Sequence, residues 1–210
     1  MKEINPEELI HRILENFSMM KSDEIPSIPL YMDQVTTFMD ERLSHSKRDS
    51  EEKVLTKTMI NNYAKNKLFP SPEKKRYTRE HLILLTFIYH FKNVMSISDI
   101  KTVLGEISEN YFSEDAQVKL TDIFDEIVDL SEADLKNIQK SVEEKGKLVM
   151  DSFPEADSND QKFLQLFSFI CLLNFDVYIK KQMIEGIVDE INHLNGQKEE
   201  EPKKEKNKKD

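Results

Sequence analysis

The chain has 210 residues, a formal net charge of −10, 38% apolar and 33% charged side chains, four glycines and one cysteine. That length allows one domain with a real core or two small ones, scarce glycine suits helices better than a turn-rich β fold, and a single thiol excludes an intrachain disulfide and a multi-cysteine metal site. The charge is uneven: residues 53–92 hold nine basic and two acidic side chains between acidic flanks, an asymmetry that points to an anionic partner.

In chain order, "NPEELIHRILENF" offers Asn5 as an N-cap and Pro6 at the first helical position, which predicts a helix within an N-terminal segment, 1–27. No signal-peptide core precedes it. After "IPSIP", a second helix is expected over "LYMDQVTTFMDERL", with Val35, Phe38 and Met39 on its apolar stripe, followed by a polar loop, "SHSKRDSEEK". A third helix spans about Thr56 to Lys67. At 100° per residue, Lys57, Thr58, Asn61, Asn62 and Lys65 fall within an arc of about 140°. Met59, Ile60 and Tyr63 fall opposite, so the helix has a core face and a polar, acid-free face. Phe69 to Tyr77 holds two prolines and a basic run, and reads as a loop or a very small hairpin. Thr78 caps a fourth helix, "REHLILLTFIYHFKNV", apolar nearly all round and therefore central, with Leu68, Phe69 and Leu82 as apolar anchors. Ser96 and Asp99 have capping-box spacing.

Beyond residue 110 the pattern stays helical. "SEDAQVKLTDIFDEIVDL" and "SEADLKNIQKSVEEKGKLVM" each open on a serine that reads as a cap. After Pro154 a long helix runs from about Asn159 to Leu194, with Gly186 a point of interruption. Its run "FLQLFSFICLLNF", residues 163–175, is too short to cross a bilayer and reads as a buried helix, with Cys171 an inert core thiol. The tail, 197–210, has almost nothing apolar to bury and is expected to be disordered.

The acid-free helix face carries the chemistry. Amide side chains read adenine edges, and lysines reach guanine or phosphate. Lys74, Lys75, Arg76 and Arg79 follow on a short connection and suit phosphates beside the groove. The competing reading is an ordinary solvated face. Other chemistry is not visible. Five histidines lack metal-ligand spacing, acids such as Asp125–Glu126 read as solvated pairs, and four scattered glycines make no phosphate-cradling loop. No enzyme activity, cofactor or metal is expected.

The stretch "LTKTMINNYAKNKLFPSPEKKRYTREHL" resembles the helix-turn-helix and wing of MerR-type bacterial regulators. Tyr63 on the recognition helix, the Leu68–Phe69 pair, Pro70, a basic wing at Lys74 to Arg76 and Tyr77-Thr78 through Leu82 follow in the family's order. "SISDIKTVL", with Ser98, Ile100, Lys101 and Leu104, is similar to the helix that follows. The likeness covers about residues 28–106. The whole chain also looks similar to an uncharacterised bacterial family built on this module. The resemblance implies a mainly α protein: a MerR-like DNA-binding domain over 28–110 with a very short wing, then an all-α region over 111–196 for dimerisation or effector binding. It implies a cytoplasmic, sequence-specific transcription regulator that binds double-stranded DNA as a homodimer through its C-terminal helices, with no membrane association. An apolar small-molecule effector is the other use such a region offers. The family's sensing cysteines have no counterpart here. The alternative is a protein-interaction adaptor that keeps the helix-turn-helix core without binding DNA.

Overall fold

The computed structural model describes residues 12–13, 19–44, 47 and 53–200, without the side chains of 159 and 197–200. Apart from residues 12–13, which are helical, the helix expected after Asn5 lies outside the described residues. So do most of the polar loop after residue 44 and the tail from 201.

The fold is mainly α. A single 3-10 turn, Ser22–Glu24, leads into strand β1, Leu30–Tyr31, and helix α1, Met32–Arg42. Helix α2, Lys57–Lys65, is followed by strand β2, Arg76–Tyr77, then α3, Arg79–Phe91, and α4, Ile97–Tyr111. Two long helices close the chain: α5, Leu120–Met150, and α6, Ser158–Glu200. The strands pair antiparallel, Leu30 with Tyr77 and Tyr31 with Arg76.

Helix α3 is the axle, as its all-round apolar pattern predicts: every residue from His81 to Ile88 is buried. Val35 and Met39 of α1, Ile60 and Tyr63 of α2, Ile100 and Leu104 of α4, and Leu120, Phe124 and Val128 of α5 pack into the same core. Leu68 and Phe69 are buried there too, as is Leu82. Ser96 caps α4 as its spacing predicts, accepting the Asp99 N–H at 3.1 Å while its own N–H donates to the Asp99 carboxylate at 3.3 Å.

The segment before β1 is tied to α5 across a long sequence distance. Ser22 donates its N–H and hydroxyl to the two Asp125 oxygens, at 2.7 and 2.5 Å. Asp125 is therefore a half-buried acceptor, not the solvated acid its neighbour Glu126 suggests. The connection between α1 and α2 is pinned in a similar way. Asp40 accepts the Val54 N–H at 3.2 Å and the Lys47 ammonium at 2.8 Å. These bonds, Lys47 first, hold its carboxyl below the usual carboxylate range.

Three expectations for the second half need correction. Residues 113–150 do not form two serine-capped helices. One helix, α5, starts at Leu120 behind Lys119 and runs unbroken through Ser131, whose hydroxyl donates to the Ile127 carbonyl at 2.7 Å. Helix α6 is longer than expected and Gly186 does not interrupt it; its 43 residues span about 65 Å. Finally, the apolar run 163–175 is not buried. Phe169 packs on Val149 of α5 with Leu172 and Leu173 beside it, and Lys145 pairs with Asp176 at 2.9 Å. Phe163, Phe167, Ile170 and Phe175 face outward, and Cys171 is exposed. By length and composition alone, Asp160–Gly196 is long and apolar enough to cross a membrane; within the fold it runs along α5 and α4.

Candidate nucleic-acid interface

Helix α2 begins where Thr56 accepts the Met59 N–H at 3.2 Å, the usual N-cap arrangement. Its apolar residues turn inward: Ile60 and Tyr63 are buried and Met59 packs against the core. Lys57, Thr58, Asn61, Asn62 and Lys65 are all exposed, so the helix presents one polar face containing no acid. Lys57 forms an ion pair with Asp33 of α1. Both partners are largely exposed, so that pair holds little energy and is easily exchanged for another anion.

The helix stops in a way the sequence does not advertise. The Lys67 N–H donates to the Ala64 carbonyl at 3.0 Å and the Leu68 N–H to the Tyr63 carbonyl at 3.1 Å. This is a Schellman ending, and its left-handed residue is Lys67, with φ of 58°, where glycine is usual. Buried Leu68 then starts the connection to β2.

That connection is a small hairpin. Glu73 and Arg76 bridge, with the Arg76 N–H donating to the Glu73 carbonyl at 2.9 Å. The two tip residues, Lys74 and Lys75, have φ of 48° and 62°. Positive φ at both central positions marks a type I′ turn, which normally carries Asn-Gly. Left-handed backbone costs a residue with a Cβ roughly 1–2 kcal/mol. The double change Lys74→Asn and Lys75→Gly should therefore raise stability by about 1 kcal/mol in urea unfolding; a loss of stability would mean the tip is not strained.

Lys74, Lys75 and Arg76 are exposed, and like Lys65 they have no ion-pair partner among the described residues. Arg79 stands apart from them. It is half-buried at the start of α3, its Nε is buried without a hydrogen-bond partner, and it lines a cleft of about 510 Å³ with Lys119, Glu80, Glu114 and Asp115. Eight of the nine residues expected to face DNA are thus exposed on α2 and the hairpin, and the ninth sits in a mixed-charge cleft.

The hairpin is latched to the core by His81, a residue that sequence reasoning treats as an ordinary histidine. Its Nδ1 accepts the Thr78 N–H at 3.1 Å and its Nε2–H donates to the Pro70 carbonyl at 3.1 Å. The two bonds bracket the hairpin, one before it and one after. The ring also meets Tyr77, Phe69 and Phe112 edge-on. Burial, the largest influence, pushes the imidazole below its ordinary value, against the Pro70 bond and nearby Glu80. The only signal for this in the sequence is a histidine at the third position of a helix behind a capping threonine.

Residues 20–127 match a family model described as a domain of unknown function, DUF1836. That span takes in both strands, α1 to α4 and the first turns of α5. No curated protein and no solved structure matches the chain.

Proposed function

The chain belongs to the DUF1836 family, and we propose that it is a cytoplasmic, sequence-specific DNA-binding transcription regulator, not an enzyme. In this reading α1 and α2 are a MerR-like helix-turn-helix, the Lys74–Lys75 hairpin is its wing, and the protein works as a dimer through its C-terminal helices.

The observation that carries the reading is an exposed, acid-free face on α2 beside a hairpin whose lysines occupy strained backbone. Strain is kept where the residue does something its unstrained replacement would not. Here the gain is positive charge. Lys57, Thr58, Asn61, Asn62 and Lys65 would read the major groove, and Lys74, Lys75 and Arg76 would hold phosphates on either side. Arg79 is the weakest member of the set, because its cleft is shared with three carboxylates.

The test is fluorescence anisotropy on fragments recovered by selecting bound DNA with the purified protein. Affinity should fall steeply with salt, because phosphate contacts release counterions. Arg76→Ala should weaken binding to all sequences alike and reduce the log–log salt slope by about 1. A folded protein without salt-dependent binding would sink the proposal. In that case the adaptor reading takes over, favoured by a wing with only a two-residue tip.

A further inference from the structure

A cleft of about 510 Å³ opens where three parts of the chain meet: Ser27 and Pro29 ahead of β1, the start of α3, and the connection from α4 into α5. Every residue that lines it is among those described. Its volume lies in the range of small-molecule sites. Five of its lining residues are charged: Arg79 and Lys119 on one side of the ledger of sign, Glu80, Glu114 and Asp115 on the other. Opposite charges gathered in so small a space normally neutralise one another. Here none of the five side chains forms an ion pair or a hydrogen bond among the described residues.

Arg79 is the sharpest case. It is half-buried, and its Nε is buried without a hydrogen-bond partner. A guanidinium desolvated on one edge gains more from an anion in the cleft than a fully hydrated cation does. The helix behind Lys119 adds to the positive side. Helix α5 is 31 residues long, and its N-cap, Lys119, gives it no side-chain cap. The Asp122 and Ile123 N–H groups donate to the Lys119 carbonyl at 3.0 and 3.1 Å. The Leu120 and Thr121 N–H groups precede them, so the helix offers them no carbonyl, and both residues line the cleft.

An anion alone suits this cleft poorly, because three carboxylates against two cations leave it net negative. A cation alone would leave Arg79, Lys119 and the start of α5 unmet. A molecule carrying both charges meets both sets at once. We propose that the cleft binds a small zwitterion, a free α-amino acid or a dipeptide. Its carboxylate is taken by Arg79, Lys119 and the first N–H groups of α5. Its ammonium is taken by Glu114 and Asp115 of the α4–α5 connection. This goes beyond the DNA reading and does not rest on it. It gives Arg79, which stands apart from the other cations, an anion other than a DNA phosphate.

The probes are the common amino acids, added singly, and dialanine, each up to about 5 mM. They are titrated into the nitrogen-15-labelled full chain and followed by proton–nitrogen correlation spectra. Burial slows exchange of the Arg79 Nε–H with water and keeps it observable. At least one probe should bind with Kd of about 1 mM or tighter, moving the Arg79 Nε–H and the Thr121 N–H together. Binding of amino acids marks a free amino-acid site, and binding of dialanine alone a peptide site. The same probe with its amine acetylated or its carboxyl amidated should bind at least ~10-fold more weakly. So should the native probe to Arg79→Gln, and to the double change Glu114→Gln and Asp115→Asn, with circular dichroism unchanged. The double change lies on exposed residues outside the helices, so it reads the ammonium side without disturbing α3. The proposal is overturned if no probe moves both resonances, as would happen if another part of the chain filled the cleft. It is also overturned if acetate or inorganic phosphate moves them as strongly, or if the double variant binds as tightly as the native chain. No DNA is present in these measurements, so this proposal and the regulator reading fail separately.

Discussion

Replacing Phe124 with alanine should lower the unfolding free energy by about 4 kcal/mol, read from the urea midpoint at unchanged m-value. Phe124 is fully buried and its ring meets Phe87 edge-on with centroids 5.4 Å apart, and Phe87 in turn stacks on Phe91. It is the largest of the three α5 side chains that enter the core around α3; Leu120 and Val128 flank it one turn away on either side. Truncation leaves a hole lined by helices that are fixed elsewhere, so little collapse can refill it. The experiment also decides how the molecule is divided. If the α5–α6 hairpin unfolded apart from the core, the change would shift only part of the transition. A single cooperative transition, displaced as a whole, means the first turns of α5 belong to the same folding unit as α1 to α4. A loss under about 1 kcal/mol would contradict the packing.

What the sequence reveals and hides follows from the range of the interactions involved. The starts of α2 and α4 are readable because Thr56 and the Ser96–Asp99 pair act within three residues of themselves. The centrality of α3 is readable because a helix apolar on every side has no solvent face to offer. The unbroken course of α5 is not legible in the sequence because Ser131 is compatible with a cap and equally with a bond to the carbonyl four residues back; only the uninterrupted helix distinguishes them. The partnership of Ser22 with Asp125 joins residues 103 apart, so no local pattern carries it. The sequence does not distinguish loop from turn at the hairpin tip because the usual signal, Asn-Gly, is replaced by two lysines.

Helix α6 is a more instructive case. Its apolar run suggests burial because hydrophobicity reports a demand for cover. It does not say which chain supplies the cover. Among the described residues that demand is met on one face, at Phe169, Leu172 and Leu173. The unmet demand at Phe163, Phe167 and Ile170 is therefore what the sequence had recorded. The candidate DNA face is different in kind. Its residues were legible one by one from helical angle, whereas the αL conformations at Lys67, Lys74 and Lys75, and the latch that holds the hairpin, appear only in three dimensions.

That latch should make the protein's stability sensitive to acid. The folded His81 is neutral, accepting from Thr78 and donating to Pro70. Protonation would remove the acceptor at Nδ1 and place a charge in a buried site. An unfolded chain takes up this proton at about pH 6.5, the folded chain only at lower pH. Above about pH 6.5 both states are neutral and the contribution is fully present; as pH falls from there toward the folded value, the unfolded state gains the proton first and stability is lost. The loss from one group approaches ~1.4 kcal/mol per pH unit in that window. Glu80 beside the ring, and Glu73 and Arg76 on the hairpin cleft it lines, set how far the window extends. Carboxylates elsewhere also titrate on acidification, so the measurement is a comparison. Urea unfolding at pH 7.5, 6.5 and 5.5 should show His81→Gln, which keeps a donor and an acceptor but does not titrate, losing less stability with acid than the native chain by up to one proton's slope. At pH 7.5, where the ring is neutral in both states, His81→Ala should cost about 3 kcal/mol through two lost hydrogen bonds and the lost packing on Tyr77, Phe69 and Phe112. Parallel slopes for the native chain and His81→Gln would mean the ring does not titrate on unfolding, and the latch would then have no part in acid sensitivity.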